Sequence, residues 1–241
     1  MAEEKNLPRK AGGRVAMISG ASRGIGAAVA EELAARGWKL SLGMREPAPP
    51  EWADGGNVHV FRYEAADPGA AAKWVADAGA FHGRIDAVIA NAGVMIPRSV
   101  IEAEDADLDR LFEINVKAPR RLVKAAWEAL AATGRGRVMI LASLSGKRVK
   151  SAKSGSYAVS KFAAVALSHA IRQAGWGLGI RATAICPGFV ATDMAHAVTD
   201  LSDSDMTKPG DLAAVIAALL DLPNEASVAE FAVNCQLEEF F

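Results

Sequence analysis

The stretch 15–37, VAMISGASRGIGAAVAEELAARG, decides the fold of this chain. A short apolar run leads into a turn with several glycines, and a segment with apolar residues at helical spacing follows. Gly20, Gly24 and Gly26 in the turn follow the spacing G-x3-G-x-G. Glycine permits positive φ angles and lets the backbone come close to a ligand. The stretch therefore predicts a β-strand, a tight turn and an α-helix.

The rest of the chain continues this alternation of short apolar runs and longer helical segments. Most of the apolar runs are continuous, which is typical of strands covered on both faces. Their alternation with helices predicts an α/β fold, a Rossmann-type doubly wound parallel sheet of about seven strands with helices on both faces. The predicted strands are 15–19, 39–44, 58–63, 87–91, 137–143, 181–186 and 231–235, and the predicted helices are 24–36, 68–80, 105–132, 156–174 and 210–221.

The same pattern predicts a single domain over residues 13–241, with a flexible N-terminal tail at 1–12. The 241 residues are enough for one α/β domain to bury its own core. Residues 190–208, VATDMAHAVTDLSDSDMTK, lack a strong period and are long for a loop in a compact domain. We predict that they form a lid over a functional site.

Composition excludes several function classes. The formal net charge is -1, which gives no global electrostatic case for nucleic acid or an anionic membrane. Cys186 and Cys235 lie in apolar runs, without a CxxC or Cys/His cluster, so we expect reduced thiols and no metal site. We see no signal-peptide core and no apolar run near the roughly 20 residues of a membrane span. We therefore expect a cytoplasmic protein.

The glycine turn predicts a dinucleotide site. The free N–H groups and the dipole of a helix N-terminus favour a phosphate, and no GK[ST] follows to indicate a P-loop. A tight turn without a ligand is the alternative.

At the end of the second strand, an acid would bind a ribose 2′-hydroxyl and a basic residue a 2′-phosphate. Met44 and Arg45 stand there, and Arg23 lies in the turn. The two arginines favour NADP(H) over NAD(H), unless both are ordinary solvated side chains.

Further short motifs follow in chain order: NAG at 91–93, Asn115, Ser143, YAVSK at 157–161 and PG at 187–188. With the glycine turn, they make the chain resemble the short-chain dehydrogenase/reductase family, of the compact single-domain type, over about residues 14–241. The resemblance implies a nicotinamide cofactor and hydride transfer at a carbonyl or alcohol carbon. The chain departs from the family at Ser19, where threonine is usual, and at Ala90, where asparagine is usual.

The resemblance also implies cofactor contacts beyond the glycine turn. Glu64 stands where the family usually has an aspartate near the adenine, and the main chain of Ala65 makes a neighbouring contact. The main chain around Gly188 and the hydroxyl of Thr192 would hold the nicotinamide carboxamide. The full predicted set of cofactor-binding residues is Gly20, Ser22, Arg23, Gly24, Ile25, Gly26, Arg45, Glu64, Ala65, Asn91, Ala92, Gly93, Tyr157, Lys161, Pro187, Gly188, Val190 and Thr192.

Tyr157 and Lys161 are spaced i, i+4 and share a helix face. An unperturbed tyrosine, with a pKa of about 10, is a poor base near neutrality. A nearby ammonium and a helix N-terminus would lower that pKa, so the pair predicts acid–base catalysis. A core tyrosine beside a snorkelling lysine is the alternative. The resemblance adds a hydrogen bond from Lys161 to the nicotinamide ribose.

Two polar residues complete the predicted catalytic set. Ser143 ends the fifth predicted strand, where ligand sites form in open α/β sheets, and its hydroxyl can hold a substrate oxygen. Ser145 is its rival for that role. The resemblance implies that Asn115 completes a catalytic tetrad by holding a water that connects Lys161 to solvent. The alternative for Asn115 is a local bend in its helix.

These features together predict an NADP-dependent oxidoreductase with Tyr157 as general acid and base. A cofactor-binding regulatory protein without turnover and a dehydratase or epimerase on the same scaffold are the alternative functions.

The loop 147–153 carries four basic residues and no acid, which either attract an anionic substrate or form a solvated loop. The resemblance implies a homodimer or homotetramer that packs the helices at about 105–132 and 156–174.

Overall fold

The computed structural model describes residues 13–53 and 55–237. The predicted tail at 1–12 lies outside these described residues. The elements follow in the order β1 (Val15–Ser19), α1 (Gly24–Ala35), β2 (Lys39–Met44), β3 (Val58–Arg62), α2 (Ala70–His82), β4 (Ala87–Ala90), α3 (Asp105–Phe112), a π-helical turn (Glu113–Lys117), α4 (Ala118–Ala125), α5 (Trp127–Ala132), β5 (Arg137–Leu141), α6 (Gly155–Gly175), β6 (Arg181–Pro187), α7 (Asp193–His196), α8 (Pro209–Asp221) and β7 (Glu230–Val233). Short 3-10 turns occur at Leu144–Gly146, Ala152–Ser154, Trp176–Leu178 and Asp203–Asp205.

The seven strands form one sheet in the order β3-β2-β1-β4-β5-β6-β7. Every neighbouring pair is parallel. The chain builds outward from β1 to β3, then returns to place β4 on the other side of β1. This reversal leaves a crevice beyond the carboxyl ends of β1 and β4, where doubly wound sheets bind ligands. The predicted Rossmann-type architecture is confirmed.

Helices cover both faces of the sheet, which explains why the strands read as continuous apolar runs. One face packs against α2, α4 and α6, with Trp74 and Leu122 among its buried side chains. The other face packs against α1 and α8, with Leu33 and Ile216 among its buried side chains. Successive residues of β1 divide between the two layers, since Met17 belongs to the first and Ile18 to the second. The two layers fix the strand ends that carry the site.

The predicted helix 105–132 is wrong as a single element. The structure divides it into α3, a π-helical turn, α4 and α5. The π-helical turn contains Asn115, whose side chain bonds to the main chain of Val94 outside the helix. Such turns insert one residue into a helix and often mark functional sites.

The segment 190–208 contains α7 and a 3-10 turn, and its role as a lid stays a prediction.

Candidate active site

The glycine turn forms a narrow cradle at the carboxyl end of β1. Gly20 and Gly24 have φ angles of 67° and 57°, which strongly favour glycine. At Gly26, a Cβ atom would lie 2.2 Å from the carbonyl oxygen of Gly20. The exposed Ser22 and Arg23 lie between the first two glycines, directly before the N-terminus of α1. The turn therefore presents backbone N–H groups at a surface without side-chain bulk, and its residues fit a dinucleotide pyrophosphate.

Ser19 and Asn91 hold the glycine turn against the end of β4. The Asn91 side-chain amide donates to the carbonyl oxygens of Ser19 and Gly20, both at 3.0 Å. The Ser19 hydroxyl accepts the main-chain N–H groups of Asn91 and Ala92 at 3.0 and 3.1 Å. Serine thus provides the hydroxyl that the family usually takes from threonine. Asn91 acts here through the shape of the turn.

Asn115 is buried, and its side chain is fully hydrogen-bonded. Its Oδ1 accepts the N–H of Val94 at 2.9 Å, and its Nδ2 donates to Val94 O at 2.9 Å and to Ser160 Oγ at 3.0 Å. Ser160 in turn donates to the carbonyl oxygen of Tyr157 at 2.7 Å. The sequence reasoning missed Ser160, although a serine three residues after Tyr157 is placed to bond back along the helix. This chain of bonds links the π-helical turn to α6.

Lys161 is buried, and its Nζ donates to the carbonyl oxygen of Leu141 at 2.7 Å. The same atom lies 5.6 Å from the ring centroid of Tyr157. Gly93 of the NAG turn is adjacent, because a Cβ there would lie 3.6 Å from Lys161 Nζ and 3.2 Å from Asn115 Oδ1. Burial lowers the pKa of Lys161 to about 8. The ammonium therefore exchanges its proton closer to neutrality than an exposed lysine does.

The expected lowering of the Tyr157 pKa is wrong for this structure. Burial raises the pKa of Tyr157 to about 12, and a hydrogen bond with Ser143 has a smaller effect in the opposite direction. The difference arises because the phenol is deeply enclosed, while Lys161 directs its hydrogen bond to Leu141. A phenol with this pKa stays protonated at neutral pH. It is a weaker acid than an unperturbed tyrosine, but it can still give its proton to an alkoxide, which is a stronger base than a phenolate.

Ser143 follows β5 and faces the Tyr157 phenol. Its hydroxyl donates to the carbonyl oxygen of Pro187 at 3.4 Å and accepts the N–H of Ser145 at 3.1 Å. Its hydrogen bond to Tyr157 lowers the tyrosine pKa, against the larger effect of burial. The structure thus brings together Ser143, Tyr157 and Lys161, with Asn115 behind them. Ser145, the rival candidate, orients Ser143 through its main-chain N–H.

The segment after β6 passes close to the glycine turn. Gly188 donates its N–H to Val233 O at 2.8 Å, and a Cβ at Gly188 would lie 2.4 Å from Asn234 Oδ1. The Thr192 hydroxyl donates to Val190 O at 3.1 Å. A Cβ at Gly24 would lie 3.2 Å from the Thr192 methyl carbon. The residues predicted to hold the nicotinamide therefore lie close to those predicted to hold the pyrophosphate, at one edge of the sheet.

The two arginines of the predicted 2′-phosphate site differ in their surroundings. Arg45 is exposed and directly follows Met44, which is buried. Arg23 forms an ion pair with Asp193, the first residue of α7. No motif singles out Asp193, which follows Thr192 in a segment without a clear period. No carboxylate occupies the end of β2 at Met44.

The predicted adenine side of the cradle is held by a residue that sequence reasoning missed. Arg121 on α4 donates to the main-chain oxygen of Ala65 at 3.3 Å and pairs with Glu113. The Glu64 carboxylate accepts the N–H of Ala66 at 3.3 Å, so it bends back onto its own loop. The part of the predicted contact that stays available is thus the main chain at Ala65. Arg121 fixes where that main chain lies.

The family model described as short chain dehydrogenase matches this chain over residues 14–202. The chain belongs to the short-chain dehydrogenase/reductase family. It is 41% identical over 228 residues to an agropine synthesis reductase of Rhizobium rhizogenes, covering 93% of this chain and 53% of that protein. It therefore spans about half the length of that curated relative. It is also 32% identical to the oxidoreductase UcpA of Escherichia coli K12 over 198 residues, covering 80% of this chain and 75% of that protein.

Solved structures of the family share this fold. An alcohol dehydrogenase of the archaeon Thermococcus sibiricus, complexed with 5-hydroxy-NADP, has a TM-score of 0.82 and 26% identity, covering 94% of this chain and 99% of that chain. A Brucella melitensis 3-ketoacyl-(acyl-carrier-protein) reductase complexed with NADH has a TM-score of 0.83 at 23% identity, covering 93% of this chain and 98% of that chain, and shows the fold alone. The family binds nicotinamide cofactors. One of these two neighbours is a complex with 5-hydroxy-NADP and the other a complex with NADH.

The described residues show neither a membrane span nor a metal cluster. Within 13–53 and 55–237, no helix combines the length and hydropathy that a bilayer crossing needs. The same residues contain no group of three or more His, Cys, Asp or Glu side chains placed to hold a metal ion.

Proposed function

We propose that this oxidoreductase uses NADP(H) and transfers hydride between the nicotinamide and a carbonyl or alcohol substrate, with Tyr157 as general acid and base. The observation that carries the proposal is the meeting of Ser143, Tyr157 and buried Lys161 beside the glycine cradle. Bound in the cradle, the nicotinamide would supply or accept the hydride. Gly20, Gly24 and Gly26 would receive its pyrophosphate, and the turn from Gly188 to Thr192 its carboxamide.

The protein groups have distinct roles in carbonyl reduction. Tyr157, protonated at neutral pH, gives its proton to the developing alkoxide. The Ser143 hydroxyl donates a hydrogen bond to the same oxygen and stabilises its charge. Lys161 returns a proton to the phenolate and regains one from solvent water, and Asn115 steadies the helix junction beside it. Alcohol oxidation runs the same proton steps in reverse.

Reduction is expected to lose rate as the pH rises above about 8, the pKa of buried Lys161. Lys161 is protonated below that pKa and deprotonated above it, whereas Tyr157 stays protonated up to about 12. Because the relay needs a charged lysine, kcat/KM for reduction falls tenfold per pH unit above the pKa. Initial rates at the nicotinamide absorbance, with a carbonyl identified by panel screening, measure this profile. A rate that stays constant from about pH 6 to 10 would contradict the relay through Lys161.

Arg45→Gln is expected to weaken NADPH binding about tenfold and NADH binding less than twofold, because only the 2′-phosphate needs the guanidinium. Isothermal titration calorimetry with each cofactor measures both affinities. Arg110→Gln, an exposed arginine on α3, is the matched control and should change neither. Equal losses for both cofactors, or no loss, would argue against a phosphate role for Arg45.

The basic loop 147–153 gives little support to an anionic substrate. Lys147 pairs with Glu230 of β7, and Lys150 donates to Gln236 at 3.1 Å. Two of its charges are therefore engaged within the protein.

The homo-oligomer and the cytoplasmic location stay predictions. The exposed Val159 and Phe162 on α6 are compatible with the former, which light scattering on the purified protein would test.

A further inference from the structure

An ion pair joins the glycine turn to the segment after β6. Arg23, at the residue before α1, contacts the carboxylate of Asp193 through its Nη1 atom. The two side chains are 68% and 72% exposed, so water can replace the contact without leaving a buried charge. Such exposed pairs are exchangeable and stabilise weakly. Arg23 is therefore shared between an acid of this chain and any anion that reaches the cradle.

The position of Asp193 is set by the backbone around it. Ala191 donates its N–H to Thr207 O at 3.0 Å, and Thr207 donates its N–H to Phe189 O at 3.2 Å. Val190 is buried beneath this pairing. These bonds close the base of the segment 190–208 and hold its first residues beside Gly24. Asp193 thus faces Arg23 because its main chain is fixed there.

A carboxylate and a phosphate accept hydrogen bonds from the same N–H donors of a guanidinium, so the two groups compete for one arginine. The carboxylate already partly neutralises Arg23, and it would repel a dianionic phosphate brought to the same group. Both effects act against a 2′-phosphate. The pyrophosphate is common to both cofactors and meets the same charges in each, so the difference between the cofactors comes from the 2′-phosphate alone.

We infer that Asp193 is a cofactor-specificity residue, which competes with the 2′-phosphate for Arg23 and moderates the preference for NADP(H) over NAD(H). This inference rests on the proposed NADP(H) dependence. It assigns to the start of the segment 190–208 a role in cofactor choice. The Asp193 carboxylate is then released from Arg23 when the 2′-phosphate binds. It stays paired with Arg23 when the cofactor carries a 2′-hydroxyl.

Direct binding of NADPH and NADH to the purified protein, measured by calorimetry, tests the inference without a substrate. Asp193→Asn should tighten NADPH binding about two- to fivefold and change NADH binding less than twofold, as expected for loss of one exposed ion pair. Asp203→Asn is the matched control, because it removes a 66% exposed acid of the same segment that pairs with His196. It should change neither affinity.

A double-mutant cycle separates this inference from the proposal beneath it. In an Arg23→Gln background, Asp193→Asn should give no tightening, because its effect passes through Arg23. If Arg23→Gln weakens NADPH binding but Asp193→Asn leaves it unchanged or weaker, the competition is refuted and the NADP(H) proposal survives. If neither Arg23→Gln nor Arg45→Gln affects NADPH binding, the NADP(H) proposal itself fails. Equal tightening of both cofactors by Asp193→Asn would also overturn the inference.

Discussion

Tyr157→Phe is expected to lower kcat for carbonyl reduction about a thousandfold while leaving the dissociation constant for NADPH within twofold of the wild type. The substitution removes only the hydroxyl, so the buried ring keeps its packing. The proton donor disappears, and Ser143 loses one of its hydrogen-bond partners. Steady-state kinetics and calorimetric titration of the same preparations measure the two quantities.

The chain contains two tyrosines, and the second supplies the control. Tyr63 is also buried, and burial raises its pKa to about 12 as well, but its ring packs against Trp74 at 4.8 Å between centroids. Tyr63→Phe should therefore retain kcat within about twofold, since it removes no group from the site. A Tyr157→Phe protein that keeps more than a tenth of wild-type turnover would refute the acid–base role of Tyr157.

Gly26→Ala is expected to weaken binding of both nicotinamide cofactors more than about a hundredfold, as a shift of about 1 Å in a positioning element can do. Its Cβ would lie 2.2 Å from Gly20 O and 2.5 Å from Asn91 Nδ2. The turn must therefore move, and the bonds from Asn91 to Ser19 and Gly20 must lengthen. The same overpacking should lower Tm by about 5 °C.

Gly79→Ala controls for the loss of a glycine as such. Gly79 lies inside α2, and among the described residues no heavy atom beyond its chain neighbours and its own helix backbone lies within 4 Å of the position its Cβ would take. It should raise the free energy of unfolding by up to about 1 kcal/mol and leave cofactor binding unchanged. Normal cofactor affinity in Gly26→Ala would show that the tight approach at Gly20 is not needed for binding.

The sheet and the cradle were predictable because their signals are local. Most strands are apolar runs covered on both faces, as β1 is, and glycine spacing marks the turn after β1. The order of motifs then placed Ser143, Tyr157 and Lys161 at one edge of the sheet, since parallel strands end together. The structure brings these three residues together.

Features that depend on contacts between distant residues could not be read from the sequence. The π-helical turn depends on bonds from Asn115 to Val94 and Ser160, which helical periodicity does not show. The pKa of Tyr157 depends on how deeply its ring is enclosed, and burial reverses the direction that the nearby lysine suggested. The pairing of Arg23 with Asp193 joins residues 170 positions apart. These contacts modify the site that the motifs locate.

The central claim is that hydride passes between the nicotinamide and a substrate carbon. The direct measurement supplies NADPH deuterated at the transferable position to the wild-type protein, with a panel of carbonyl compounds, and analyses the products by mass spectrometry. We expect an alcohol with one deuterium on the former carbonyl carbon, formed in equal amount to the NADP⁺ and about a thousandfold more slowly with Tyr157→Phe. Tight NADPH binding without cofactor consumption across the panel, or conversion of a substrate that leaves the label on the cofactor, would contradict it.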